Sequence, residues 1–146
     1  MSKRKSIVTA LADAFKVIDG TGIYTTKLSN NSYPYLKFWD EVQDFPAVFV
    51  SPGMERREYQ LAGFAWGILH VCVRAYCYGE ETAQTQLESL LGDLENCIDL
   101  NRQLVYDSTN QYTTTEILID SITTDEGLLA PYAVGEINLQ VRYQIM

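Results

Sequence analysis

The stretch FAWGILHVCVRAYCY, residues 64–78, constrains this chain more than any other. From Leu69 it alternates without a break. Leu69, Val71, Val73 and Ala75 fall on one side, and His70, Cys72, Arg74 and Tyr76 on the other. A period of two is the repeat of a β-strand, whose successive side chains point to opposite faces. Fully extended, this arm spans roughly 50 Å at ~3.3 Å per residue, whereas an ordinary strand has ~5–6 residues. Ala62-Gly63 separates it from MERREYQL, so 54–79 is expected to fold as a long hairpin. Such a hairpin either bends at Gly67 or projects beyond its own domain towards a neighbour.

Helical periodicity appears on both sides of it. KSIVTALADAFKVIDG places Ile7, Val8, Leu11, Phe15 and Ile18 on one stripe, with Ser6 as the expected N-cap and Gly20 or Gly22 as the stop. In EETAQTQLESLLGDLENCIDL, residues 80–100, the positions Leu87, Leu90, Leu91, Leu94 and Ile98 recur at the same spacing. Glu80 and Glu81 suit the dipole at its start, and Gly92 inside it is expected to mark close packing. This segment holds six acids and no base, so its solvent face is expected to be negative.

Other extended segments are shorter. IYTTKL (23–28) and PAVFVS (46–51) have strand composition, with SPG (51–53) ending the second. NRQLVYDSTNQYTTT (101–115) is polar and is expected to be a loop. EILIDSITTDEG (116–127) is a strand, and the chain ends in strict alternation. There Ile137, Leu139, Val141, Tyr143 and Ile145 oppose Glu136, Asn138, Gln140, Arg142 and Gln144, the pattern of an antiparallel strand with one wet face. Helices that do not alternate regularly with strands point to an α+β fold: a mainly antiparallel sheet with a long hairpin and two amphipathic helices on one face. The length of 146 residues fits a single domain over 1–146, with a flexible basic tip at 1–5.

Charge and composition exclude several classes of function. No apolar run approaches the ~20 residues that cross a bilayer, and the start has no cleavage site of a signal peptide. The net charge is −8, and Lys3, Arg4 and Lys5 conceal a steeper imbalance in the rest of the chain. Tight nucleic-acid binding draws on clustered Lys and Arg, which this chain lacks. Cys72, Cys77 and Cys97 are odd in number and irregular in spacing, as expected of reduced thiols and not of a disulfide framework.

Catalytic chemistry is hard to assemble. The sole histidine, His70, shares a strand face with Cys72, but Cys77 has the opposite parity. No CxxC or HxxxH pair exists, so neither a metal nor another cofactor is expected. A nucleophile–base pair has no candidates. Asp40, Glu41 and Asp44 could hold a divalent cation or act as a general acid pair, though three acids in a loop are ordinarily a solvated surface. The chain is expected not to be an enzyme.

Contact surface is what remains. The passage YPYLKFWDEVQDFPAVFVSPG, residues 33–53, gathers Tyr33, Tyr35, Phe38 and Trp39 in a segment whose prolines discourage helix. Such rings either dock a partner or fold inward as a lid. Arg56 and Arg57, between Glu55 and Glu58, either set register with a neighbour or keep an edge strand soluble.

Taken in order, the opening helix VTALADAFKVIDG, the passage FWDEVQDFPAVFVSPGMERRE, the strand GILHVCVRAYC, the acidic helix and the final GEINLQVRYQI resemble the tail terminator (tail completion) proteins of long-tailed phages. The resemblance covers nearly the whole chain. It implies a structural virion protein, made in the host cytoplasm, that assembles as a homo-oligomeric ring, usually a hexamer. The ring would sit at the tail–neck junction, cap the tail tube and stop its polymerisation. It would offer a docking face to the head-side connector, with DNA passing through the lumen without being tightly bound. An acidic helix lining that lumen would let DNA slide. Tyr35, Phe38, Trp39, Arg56, Arg57 and Tyr59 are the expected interface residues. The alternatives are another neck, head-closure or tail component, or a small cytosolic ligand-binding or enzymatic domain using the acids at 40–44.

Overall fold

The computed structural model describes residues 2–145. In chain order the elements are helix α1 (Lys3–Ala14), strand β1 (Ser32–Tyr33), β2 (Ala47–Tyr59), β3 (Ala65–Tyr78), helix α2 (Ala83–Leu100), β4 (Val105–Asp107), β5 (Tyr112–Thr113), β6 (Glu116–Thr124) and β7 (Tyr132–Gln144). Five strands form one sheet in the order β1-β2-β3-β7-β6, and β4 and β5 form a small separate ribbon. All pairings in the main sheet are antiparallel except the short β1–β2 contact. The fold is therefore the α+β arrangement that the periodicities predict.

Both helices cover the same face of the sheet. Ile7, Val8, Leu11 and Phe15 of the first stripe and Leu87, Leu90, Leu94 and Ile98 of the second are fully buried. They meet Leu69, Val71 and Val73 of β3 and Ile137, Leu139 and Val141 of β7 in one core. Here the period of 3.6 and the period of 2 meet: each element hides the one set of side chains that its repeat aligns.

Several segments depart from expectation, each for a local reason. The N-cap of α1 is Ser2 and not Ser6, and its hydroxyl accepts from Lys5 N–H. The basic tip is the first helical turn: Lys3 Nζ donates to the carbonyls of Gln144 and Ile145, at 3.1 Å each, and Lys5 Nζ to Pro34 O at 2.8 Å. β2 does not end at Ser51-Pro52-Gly53 but runs through it, because a bulge between Pro52 and Glu55 absorbs the proline at the sheet edge. Residues 23–28 form no strand beyond a single bridge, Asp19 with Lys27. Their N–H groups are drawn elsewhere: Thr25 and Thr26 donate to the buried carboxylate of Asp93, with Thr26 N at 2.7 Å. Asp93 thus leaves the negative solvent face of α2 and pins a loop instead. Residues 101–115 carry the β4–β5 ribbon, anchored by the buried Thr114, whose hydroxyl accepts from Leu104 N–H at 2.8 Å.

The hairpin itself turns at Leu61–Gly63, where Ala62 (φ 68°) and Gly63 (φ 76°) are both left-handed, the geometry that suits a tight β-hairpin. It does not project beyond the domain. β7 pairs with β3 from Trp66 to Tyr78, while β2 pairs on the other side from Ala65 to Tyr76. The long arm is the central strand of its own sheet. Gly67 is no bend either; it lets the ring of Tyr143 lie across the strand, where a Cβ would approach that ring to 2.7 Å. Gly92 was expected at a close contact, but a Cβ there would meet nothing within 4 Å.

Candidate functional site

The face of the sheet away from the helices has two unlike halves. At the end where β3 finishes, residues 33–46 fold over it as a lid. Tyr33 stacks on Phe49 at 5.3 Å, Trp39 meets Tyr132 at 4.8 Å, and Phe45 meets Tyr78 at 5.9 Å. These rings enclose a second small core of Ala47, Phe49 and Tyr76. The Tyr76 hydroxyl donates to Lys37 O at 2.7 Å, and burial pushes that phenol up to about 12. Asn31 Nδ2 donates to Asp44 O and Pro46 O, closing the lid's far end.

The lid therefore divides its aromatic residues. Tyr33 and Trp39 turn inward, whereas Tyr35 is 51% and Phe38 59% exposed. Asp40, Glu41 and Asp44 lie on the same outer surface, and no ion pair among the described residues reaches them.

The other end of the sheet carries the hairpin tip, whose side chains alternate between the open face (Arg56, Glu58) and the helix-covered face (Glu55, Arg57, Tyr59). Tyr59 is 66% and Leu61 94% exposed. Arg57 lies 3.4 Å from Glu55, and hydrogen bonding to Tyr59 and Glu55 holds its guanidinium above the ordinary range. Glu55 also accepts from the Tyr143 hydroxyl. Glu58 pairs with Arg142 at 2.9 Å, and Arg142 in turn lies over the Trp66 ring at 5.0 Å. Arg56 reaches Glu58 only at 4.0 Å and is mostly exposed. Arg4 donates to Gly53 O beside them.

The six residues singled out in the sequence thus form two groups. Tyr35, Phe38 and Trp39 belong to the lid, and Arg56, Arg57 and Tyr59 to the tip. The strand between Gly67 and Tyr76 separates them by roughly 30 Å at ~3.3 Å per residue. Leu36, at the lid, and Leu61 and Met54, at the tip, extend the exposed apolar surface and were not singled out. Leu61 had a legible signal, since it directly precedes the turn residues Ala62-Gly63.

Between the two ends the face is open and polar. His70, Cys72 and Arg74 of β3 and Asn138 of β7, with Ser51, line a shallow depression of about 260 Å³. Arg74 pairs with Glu136 at 2.9 Å. Burial pushes the Cys72 thiol up to about 11 and Cys77 up to about 12, and raises Cys97 as well. These shifts run against thiolate formation and so against nucleophilic activation. Among the described residues, no three His, Cys, Asp or Glu side chains gather to hold a metal ion, and no helix is long and apolar enough to cross a membrane.

Comparison with known proteins gives the chain a family. The family model described as bacteriophage tail tube terminator protein matches residues 1–146. Tail tube terminator protein p142 of Escherichia phage T5 is 36% identical over 153 residues, covering 99% of this chain and 95% of its own length. Among solved structures, a chain from the virion of a native gene transfer agent particle overlaps 70% of this chain and 73% of its own, with a TM-score of 0.47 and 8% identity. With a model matched over its whole length and a relative at this identity, the chain belongs to the bacteriophage tail tube terminator family.

Proposed function

We propose that this protein is a structural component of the virion that assembles as a homo-oligomeric ring, a hexamer, on the end of the tail tube. There it stops further addition of tube subunits and offers its other face to the head-side connector. It acts by contact and not by catalysis. Family membership carries the reading. The structure supports it through the two exposed ends, where large apolar side chains and charges stand clear of a core that is already closed. Large rings and guanidinium groups are the side chains that most often anchor interfaces.

The long hairpin does not itself call for a neighbour, because β2 and β7 satisfy β3 along its length. Association rests instead on side-chain surface. Tyr35 and Phe38 contribute directly to the lid surface and Trp39 by holding the lid in place. Arg56, Arg57 and Tyr59 contribute the tip. DNA in the lumen is not tightly bound, as the net charge of −8 favours sliding over capture.

Purified tail tubes lacking a terminator provide the test. The wild-type chain should bind their ends and halt elongation when tube protein is added. Phe38→Ser and Tyr59→Ser should remain folded yet cap poorly. Tubes that elongate equally well with the wild-type chain present would refute the proposal.

A further inference from the structure

We infer that the hairpin tip of one copy docks onto the lid of the next copy. The inference rests on the ring reading above and adds which surfaces meet. The two surfaces complement each other in charge. At the hairpin, four guanidinium groups meet two carboxylates on its two faces: Arg57 pairs with Glu55 on the helix-covered side, where Arg4 donates to Gly53 O, and Arg56 and Arg142 share Glu58 on the other. Glu58 is engaged at 2.9 Å by Arg142, which leaves Arg56 the least satisfied of the four. The lid segment carries three exposed acids, Asp40, Glu41 and Asp44, against one base of its own, Lys37, while Lys5 of α1 donates to Pro34 O; among the described residues none of these acids has an ion pair.

Each surface also has an apolar centre of the kind that anchors an interface: Leu61 and Tyr59 at the tip, Phe38 and Tyr35 at the lid. A contact between two different surfaces is heterologous, and heterologous contacts build rings when the rotation between copies closes. Surfaces at opposite ends of one sheet leave each copy free to use both at once.

The sheet edges make poorer joints. The outer edge of β2 carries Pro52, a bulge and the charged run Glu55–Glu58, and β6 is bulged between Ile119 and Ser121. These are the devices by which proteins discourage strand-to-strand addition. Side-chain docking is the route that remains.

Charge reversal tests the pairing. One variant carries Arg56→Glu and Arg57→Glu; a second carries Asp40→Lys and Asp44→Lys. Sedimentation velocity is measured on each, on the wild type and on an equimolar mixture, both alone and with tail-tube ends as nuclei. Each variant alone should associate roughly tenfold or more weakly than the wild type, because every contact then opposes like charges. The mixture should recover, since an even-membered ring can alternate the two variants with every contact complementary. Wild-type association should weaken with added salt. Leu61→Ser, which changes no charge, should also weaken it, and cooperative melting of each variant confirms that the subunit is intact.

A wild type that associates but ignores both reversals, or a mixture no better than its parts, overturns the docking arrangement and leaves the ring standing. A wild type that stays monomeric both in solution and on tube ends overturns the ring reading, and this inference with it.

Discussion

Along β3, neighbouring residues live in opposite environments. Leu69, Val71 and Val73 have no exposed surface and lie in the core that both helices cover. His70, Cys72 and Arg74, one position away in each case, look out from a face that only the lid covers in part. The helix-covered side is a continuous apolar core, and the energy of folding is concentrated there. The opposite side is polar at its centre, with the exposed rings of the lid at one end and Arg56 and Glu58 of the hairpin at the other. A subunit built this way can change its exposed side chains without losing its fold.

Two substitutions at adjacent positions should separate these environments most strongly. Leu69→Ala should destabilise the chain by about 2–5 kcal/mol, because a fully buried site loses packing and keeps a cavity. His70→Ala should stay within about 0.5 kcal/mol of the wild type. Urea denaturation would read the contrast as a shifted midpoint in the first case only.

Asp93→Ala should cost about 1–3 kcal/mol, since the N–H groups of Thr25 and Thr26 lose the carboxylate that satisfies them. Hydrogen exchange should quicken over residues 23–28 while α1 stays protected. Gly92→Ala should move stability the other way, by about 1 kcal/mol, since the helix gains a better former and the new methyl meets open space.

The smallest effect concerns acid. Burial opposes ionisation of Asp125, but N–H groups of Val134 and Leu129 and the Gln84 side chain outweigh it and hold the carboxyl below its ordinary value. A carboxyl depressed in the folded state adds stability above its unfolded value of about 3.9, and that stability is lost as pH falls through the lower folded value. Thermal melts below about pH 4 should therefore show a smaller acid-induced loss in Asp125→Asn than in the wild type.

How much of this was legible depended on distance along the chain. Both helical stripes, the alternation of β3 and β7 and the turn at Ala62-Gly63 are local patterns, and each element lies on its pattern, although α1 starts at Lys3, ahead of Ser6, and ends at Ala14, ahead of Gly20. Residues 23–28 were misread because their partner, Asp93, lies on a helix far along the sequence. The continuation of β2 through Pro52 depended on an edge position and a bulge that composition does not reveal. The long arm looked unpaired because β7, its second neighbour, is the last strand of the chain. For the same reason Trp39 could not be told from Phe38: one ring finds Tyr132 beneath it and the other finds solvent.

We propose that association uses the two ends of the sheet and leaves its middle open. Hydrogen–deuterium exchange on the free chain and on the chain bound to tail tubes tests this most directly. Protection should rise over 33–46 and 54–64 and stay unchanged across the backbone around His70, Cys72 and Asn138. New protection confined to that central face, with both ends exchanging as before, would contradict the claim.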